Sequence, residues 1–225
     1  MEEWIFRVTA VALPAILAIT LHEAAHGFVA WRLGDDTAYR LGRVTFNPLR
    51  HIDPFGTVLL PAVMYFTTGF VFGWAKPVPV NFARLDHPRR DMVWVALAGP
   101  GTNFLLAVAS AVLWRLVHSQ DGIVGLWLQS AAMISILVNV ILMVFNLIPL
   151  PPLDGGRVAV GILPDFLALP LARLERFGML ILLGAFFLLP MLGREIGVDL
   201  NVMSWVLGPP VDAVIGFIQA LTGNG

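Results

Sequence analysis

Charge is distributed along this chain in clumps, and the stretches between them carry no Asp, Glu, Lys or Arg at all: 8–21, 54–75, 92–114, 122–153 and 177–193. A lipid bilayer is crossed by about 20 residues of helix, so these runs confine the chain to a polytopic, all-α membrane protein. The composition agrees, being 58% hydrophobic and 13% charged, where a soluble domain is about a quarter charged. With no cysteine, a disulfide-stapled module is excluded. A formal net charge of −1 without a basic run leaves nothing to hold nucleic acid. The chain reads as one membrane-embedded domain, 1–225, with spans near 4–32, 92–117 and 124–152 in a core of about 4–160. Accessory helices follow within 177–221. There the run 177–193 is short for a crossing, and 202–221 holds Pro209, Pro210 and Asp212, which suits a broken span or an interfacial helix equally. Trp4 and Trp31 bracket the first span and Trp94 and Trp114 the second, as indoles do at headgroup level. The opening Met-Glu-Glu, without basic residues or a cleavage site, does not read as a signal peptide.

Within the first span lies His22-Glu23-Ala24-Ala25-His26. Ionisable groups at membrane depth are costly and mark function. Positions i and i+4 share a helix face, so both imidazoles can grip one ion, for which zinc is best suited. Glu23, about 100° around the helix, can reach a water on that ion without ligating it. The competing reading is a polar pair hydrogen-bonded between packed helices. A catalytic zinc takes three protein ligands, and the candidates for the third are His51, His87, His118 and the aspartates. Most of these stand in charged loops. Asp154 instead follows the run 122–153, where Pro149, Pro151 and Pro152 must end a helix and Gly155-Gly156 allow a tight turn.

An HExxH in one membrane helix and Asn146-Leu147-Ile148-Pro149-Leu150-Pro151-Pro152-Leu153-Asp154-Gly155 after a later one together resemble the site-2 protease family of intramembrane zinc metalloproteases. Residues 42–48, 73–81 and 98–103 look like its short prokaryotic branch, without PDZ or CBS domain. The resemblance covers roughly residues 15–160. It implies that His22, His26 and Asp154 bind one zinc ion per chain, that Glu23 is the catalytic carboxylate and that Asn146 is an active-site asparagine. Asn103 is a weaker correspondence, equally read as a helix-packing hydrogen bond beside Gly99 and Gly101. The implied activity is a zinc metalloendopeptidase cutting peptide bonds in or near transmembrane segments of substrate proteins. A membrane metal-binding transporter and a non-catalytic scaffold of the same fold are the rival classes, and neither needs a carboxylate beside the ligand pair.

If His22, His26 and Asp154 share an ion, both helix ends face one side of the membrane. The apolar run 54–75 must then enter and leave from one face as a re-entrant or surface-lying segment between the first two core helices. On this topology eleven of the fourteen Lys and Arg residues lie on the zinc side and three, Arg7, Arg115 and Arg194, opposite. The positive-inside rule places the site towards the cytoplasm of a multi-pass cell-membrane protein. The alternation in 74–81, or that in 39–46, predicts a short membrane-associated β element whose edge captures unwound substrate. His51, His87 and His118 are expected at the surface or interface, with His51 near the cavity mouth.

Overall fold

The computed structural model describes residues 2–60, 63 and 75–224. In chain order the helices are α1 (Glu2–Arg32), the single turn α2 (Thr37–Arg40), α3 (Pro88–Val117), α4 (Gly122–Asn146), α5 (Asp154–Ile162), α6 (Asp165–Arg173), α7 (Glu175–Leu183), α8 (Leu189–Ile196) and α9 (Val202–Thr222). Pro88 opens α3 at a position whose N–H would have no intrahelical partner anyway. The prolines after Leu147 stop α4. Five stretches are long and apolar enough to cross a bilayer: Glu3–Arg32, Pro88–Val117, Gly122–Asn146, Glu175–Ile196 and Val202–Thr222. The chain is a multi-pass membrane protein.

Both C-terminal stretches form helical elements long and apolar enough to cross. The run 177–193 is the middle of a longer element in which α7 passes into α8 through a π turn, Gly184–Leu188, just ahead of Pro190. Proline has no N–H to give at that register. Helix α9 is continuous through Pro209 and Pro210, capped by the Asn201 side chain at Ser204 N and ended by Gly223 at φ 68°. Helix breaks at proline are tolerated in membrane helices because neighbours take up the freed groups.

Helices α1, α3 and α4 pack on one another, and α9 closes against α3 and α4. That last contact is a cluster of Ala107, Ala111, Val140, Val144, Leu207, Val211 and Ile218. Small residues at such seams let backbones approach closely. Helix α5 lies against α3, held where Arg89 Nε donates to Gly161 O at 3.1 Å and Arg89 Nη1 to Asp165 at 2.7 Å.

The expected β element is not found: among the described residues none is in a strand. Tyr39 and Arg40 end α2, and the residues up to Phe46 form turns around Gly42, at φ 63°. The physical reason is plainest in 75–81, where three backbone donors are committed to groups outside the segment. Lys76 N donates to His51 O at 2.9 Å, Val78 N to Glu23 Oε2 at 2.8 Å and Asn81 N to Asp35 Oδ2 at 2.6 Å. Pro77 and Pro79 have no N–H to offer. A strap bonded to Glu23 of α1 and to Asp35 in the turn after it takes the place of a strand. Of the re-entrant segment expected at 54–75, the first turn Pro54–Leu59 is a π turn capped by Asp53. Residues 61, 62 and 64–74, which include Trp74, lie outside the described residues, and so does most of that expectation.

Candidate metal centre

On α1, His22 and His26 project one turn apart, their rings 82° from parallel and their Nε2 atoms 3.1 Å from each other. Each ring is held from behind through Nδ1. His22 Nδ1–H donates to Asn103 Oδ1 at 2.5 Å, and His26 Nδ1–H donates to Val95 O at 2.7 Å. Both partners are oxygens of α3 that only accept, so the proton is assigned to Nδ1 in each ring and the Nε2 lone pairs face inward. The motif spacing explains the shared face; the docking of α3 explains the tautomers.

The third group arrives from the other side. Helix α4 ends at Asn146, the chain turns through Leu147–Leu153, and α5 begins at Asp154. Gly155 and Gly156 are not the tight turn their sequence suggested but the first turn of α5. There the backbone of the preceding turn presses close: a Cβ on Gly155 would lie 2.6 Å from Ile148 O, and one on Gly156 2.5 Å from Pro151 Cδ. From the other side α7 presses on the same turn, where a Cβ on Gly178 would meet Pro152 Cδ at 2.5 Å. So clamped, Asp154 brings Oδ2 to 3.2 Å from His22 Nε2 and 3.3 Å from His26 Nε2.

Two observations test whether these residues suit a metal ion. Asp154 Oδ2 is buried with no hydrogen-bond partner, an orphan that a cation would satisfy. Gly99 of α3 leaves the space in front of the two rings, where a Cβ would stand 2.6 Å from His22 Nε2. One ligand atom from each of His22, His26 and Asp154 lies within 4.8 Å of the others, and all three residues are buried. Two nitrogens and one carboxylate oxygen around an open position fit a zinc site.

Glu23 lies beside this group rather than in it. Its Oε2 accepts from Val78 N, and its side chain borders a cavity of about 330 Å³ shared with His22, Asn146, Arg157 and Met179. A smaller space of about 50 Å³ joins Glu23 to His26 and Val78. Asn146 reaches the larger cavity, with its amide Nδ2 donating to Leu142 O of its own helix at 2.9 Å. His51, His87 and His118 stand apart from the group: His51 Nε2 donates to Thr45 O, His87 lies 3.8 Å from Asp91, and His118 Nδ1 donates to Arg115 O. Contrary to the surface expectation, His51 is buried at 2% exposure. Sequence reasoning did not single out Val95, whose role is a backbone carbonyl, or Val78, whose role is a backbone N–H. Neither leaves a signal in residue type. Asn139, which joins Asn103 at 2.8 Å, could have been found as an amide deep in an uncharged span.

Fold and site together define a class: a multi-pass helical membrane protein with a buried His-His-Asp group able to hold one divalent ion. The chain is 37% identical over 201 residues to a Bacillus subtilis protein named "Putative zinc metalloprotease YwhC", covering 80% of this chain and 85% of that one. It is 33% identical over 141 residues to the Mycolicibacterium smegmatis protein named "Putative zinc metalloprotease Rip2", covering 62% of this chain and 52% of that one. The Rip2 of Mycobacterium tuberculosis is 30% identical over 177 residues, 79% of this chain and 66% of its own length. The chain thus spans most of the first relative and half to two-thirds of the other two. No family model and no solved structure matches it. The chain belongs to the site-2 protease family.

Proposed function

We propose that this protein is an intramembrane zinc metalloendopeptidase, hydrolysing peptide bonds within or near transmembrane segments of other membrane proteins. The observation that carries the reading is the convergence of two Nε2 atoms and an unpartnered, buried Asp154 oxygen beside a carboxylate that lines a cavity. His22, His26 and Asp154 would hold the ion. When bound, zinc supplies Lewis acidity towards the peptide carbonyl and towards water.

The remaining work falls to the chain. Glu23 has one oxygen held by Val78 N–H, which orients the carboxylate and leaves its other oxygen to take a proton from water as the water attacks. The same carboxylate then delivers that proton to the leaving nitrogen, as a general base turned acid. Asn146, which lines the same cavity, offers its side-chain amide to the substrate. A substrate helix keeps its carbonyls hydrogen-bonded, so it must unwind locally before it is cut. The excess of basic residues flanking this end of the spans orients the site towards the cytoplasm of the cell membrane.

The test is to purify the protein in detergent, measure zinc per chain, and follow cleavage of membrane-spanning peptides by the wild type and Glu23→Gln. Near-stoichiometric zinc in both is expected, with cleavage reduced on the order of 100- to 10,000-fold in the variant. Cleavage retained by Glu23→Gln overturns the assignment of the base, and a protein that takes up no zinc overturns the reading as a whole.

A further inference from the structure

His22 and His26 are oriented by different means. The acceptor behind His26 is the backbone carbonyl of Val95, which cannot be exchanged for a donor. The acceptor behind His22 is one end of the Asn103 amide, and an amide can turn over. Turned, it would present Nδ2–H to His22 Nδ1, force the ring proton onto Nε2 and remove the lone pair that faces Asp154. Besides its bond to Asn139, Asn103 Nδ2 donates to Ala18 O at a long 3.4 Å.

What opposes the flip lies one helix further on. Asn103 Nδ2 donates to Asn139 Oδ1 of α4 at 2.8 Å. Asn139 is itself fixed, because its Nδ2 donates to Ser135 O at 2.9 Å and lies 3.2 Å from Ser135 Oγ. A flip of Asn103 would set two amide oxygens against each other, and a concerted flip would set Asn139 Oδ1 against a helix carbonyl. Asn103 is 0% and Asn139 1% exposed, so water does not compensate.

We propose that Asn139 is a positioning residue of the metal centre: by accepting from the Asn103 amide it decides which way that amide faces, and hence which nitrogen of His22 is left for an ion. This rests on the zinc-centre reading above for its consequence, though not for its mechanism. Outer partners of metal-bound histidines typically contribute 10- to 100-fold to metal affinity, and one acting through an intermediate amide belongs at the lower end.

The experiment compares wild type, Asn139→Leu, Asn139→Leu with Asn103→Asp, and Ser110→Ala in detergent. Zinc affinity is read by competition with a chromophoric chelator, and the His22 tautomer by nitrogen NMR of 15N-histidine-labelled, metal-free protein, assigned against His22→Gln. Asn139→Leu is expected to weaken zinc roughly tenfold and to move proton occupancy at His22 from Nδ1 towards Nε2. Asn103→Asp in the same background should restore both to near wild type, because a carboxylate accepts from either oxygen and has no wrong face. Ser110→Ala removes a 2.7 Å bond to Ser135 Oγ across the same α3–α4 seam but leaves Asn139 Nδ2 its bond to Ser135 O, and should change neither. An unchanged tautomer in Asn139→Leu overturns the inference, as does an equal loss in Ser110→Ala, which would make the effect one of helix packing. Should Asn139→Leu fail to accumulate, Asn139→Ala removes the same acceptor. Wild-type protein without zinc affinity would sink the zinc-centre reading while leaving the tautomer measurement to decide on Asn139.

Discussion

Helices α3 and α4 meet two partners in two different ways. Against α1, and against each other, they are joined by polar bonds: the buried pairs His22 to Asn103 and Asn103 to Asn139, and the half-buried pair Ser110 to Ser135. Against α9 their contact is the apolar cluster around Ile218 and Leu207, tied at its end where Arg115 Nη1 donates to Thr222 O at 2.6 Å and Gly223 O at 2.7 Å. In a membrane the difference matters more than in water. Lipid tails are as apolar as leucine, so an apolar seam gains mainly from fit, while each polar bond specifies one register. The candidate metal centre sits in the seam whose register is specified.

The sharpest way to break that contrast is at the ligands. Asp154→Ala should reduce zinc affinity by more than the roughly 100-fold at the upper end for outer partners, read by metal content after desalting. Retained zinc in this variant would detach the turn after α4 from the site. Next comes Gly99→Ala, which places a Cβ 2.6 Å from His22 Nε2, against a ring that Asn103 pins and that cannot give way. Overpacking of this kind costs about 1–3 kcal/mol and blocks the ion position, so both thermal stability in detergent and zinc uptake should fall. Gly101→Ala, two residues along the same helix with nothing within 4 Å of the added atom, should leave both within about 0.5 kcal/mol of wild type.

The apolar seam provides the smallest effect. Ile218 is 1% exposed in its cluster, yet Ile218→Ala should cost no more than the low end of the roughly 2–5 kcal/mol seen in water-soluble cores, since lipid replaces water in the reference state. Zinc affinity should be unchanged. A large loss of zinc in Ile218→Ala would show that α9 shapes the centre, and the two seams would no longer be separable.

Much of this protein could be read from residue order. The helical spans follow from where charges are absent, because unpaired charge and backbone are expensive in lipid wherever they fall in a fold. The pairing of His22 with His26 follows from the period of the helix, and Asp154 was marked out by prolines that no helix can absorb. Tertiary structure decided what depends on contact between distant segments. Only docking of α3 shows that Gly99 clears the ion position and that Val95 and Asn103 set the tautomers. Only the folded turn shows that Gly155 and Gly156 serve close approach rather than chain reversal. The alternation in 74–81 predicts a strand, but strand formation requires a partner with free donors and acceptors, and the N–H groups of Lys76, Val78 and Asn81 are held by His51, Glu23 and Asp35. Periodicity is a property of one segment, whereas hydrogen-bond partnership is a property of two, and a single sequence records only the first.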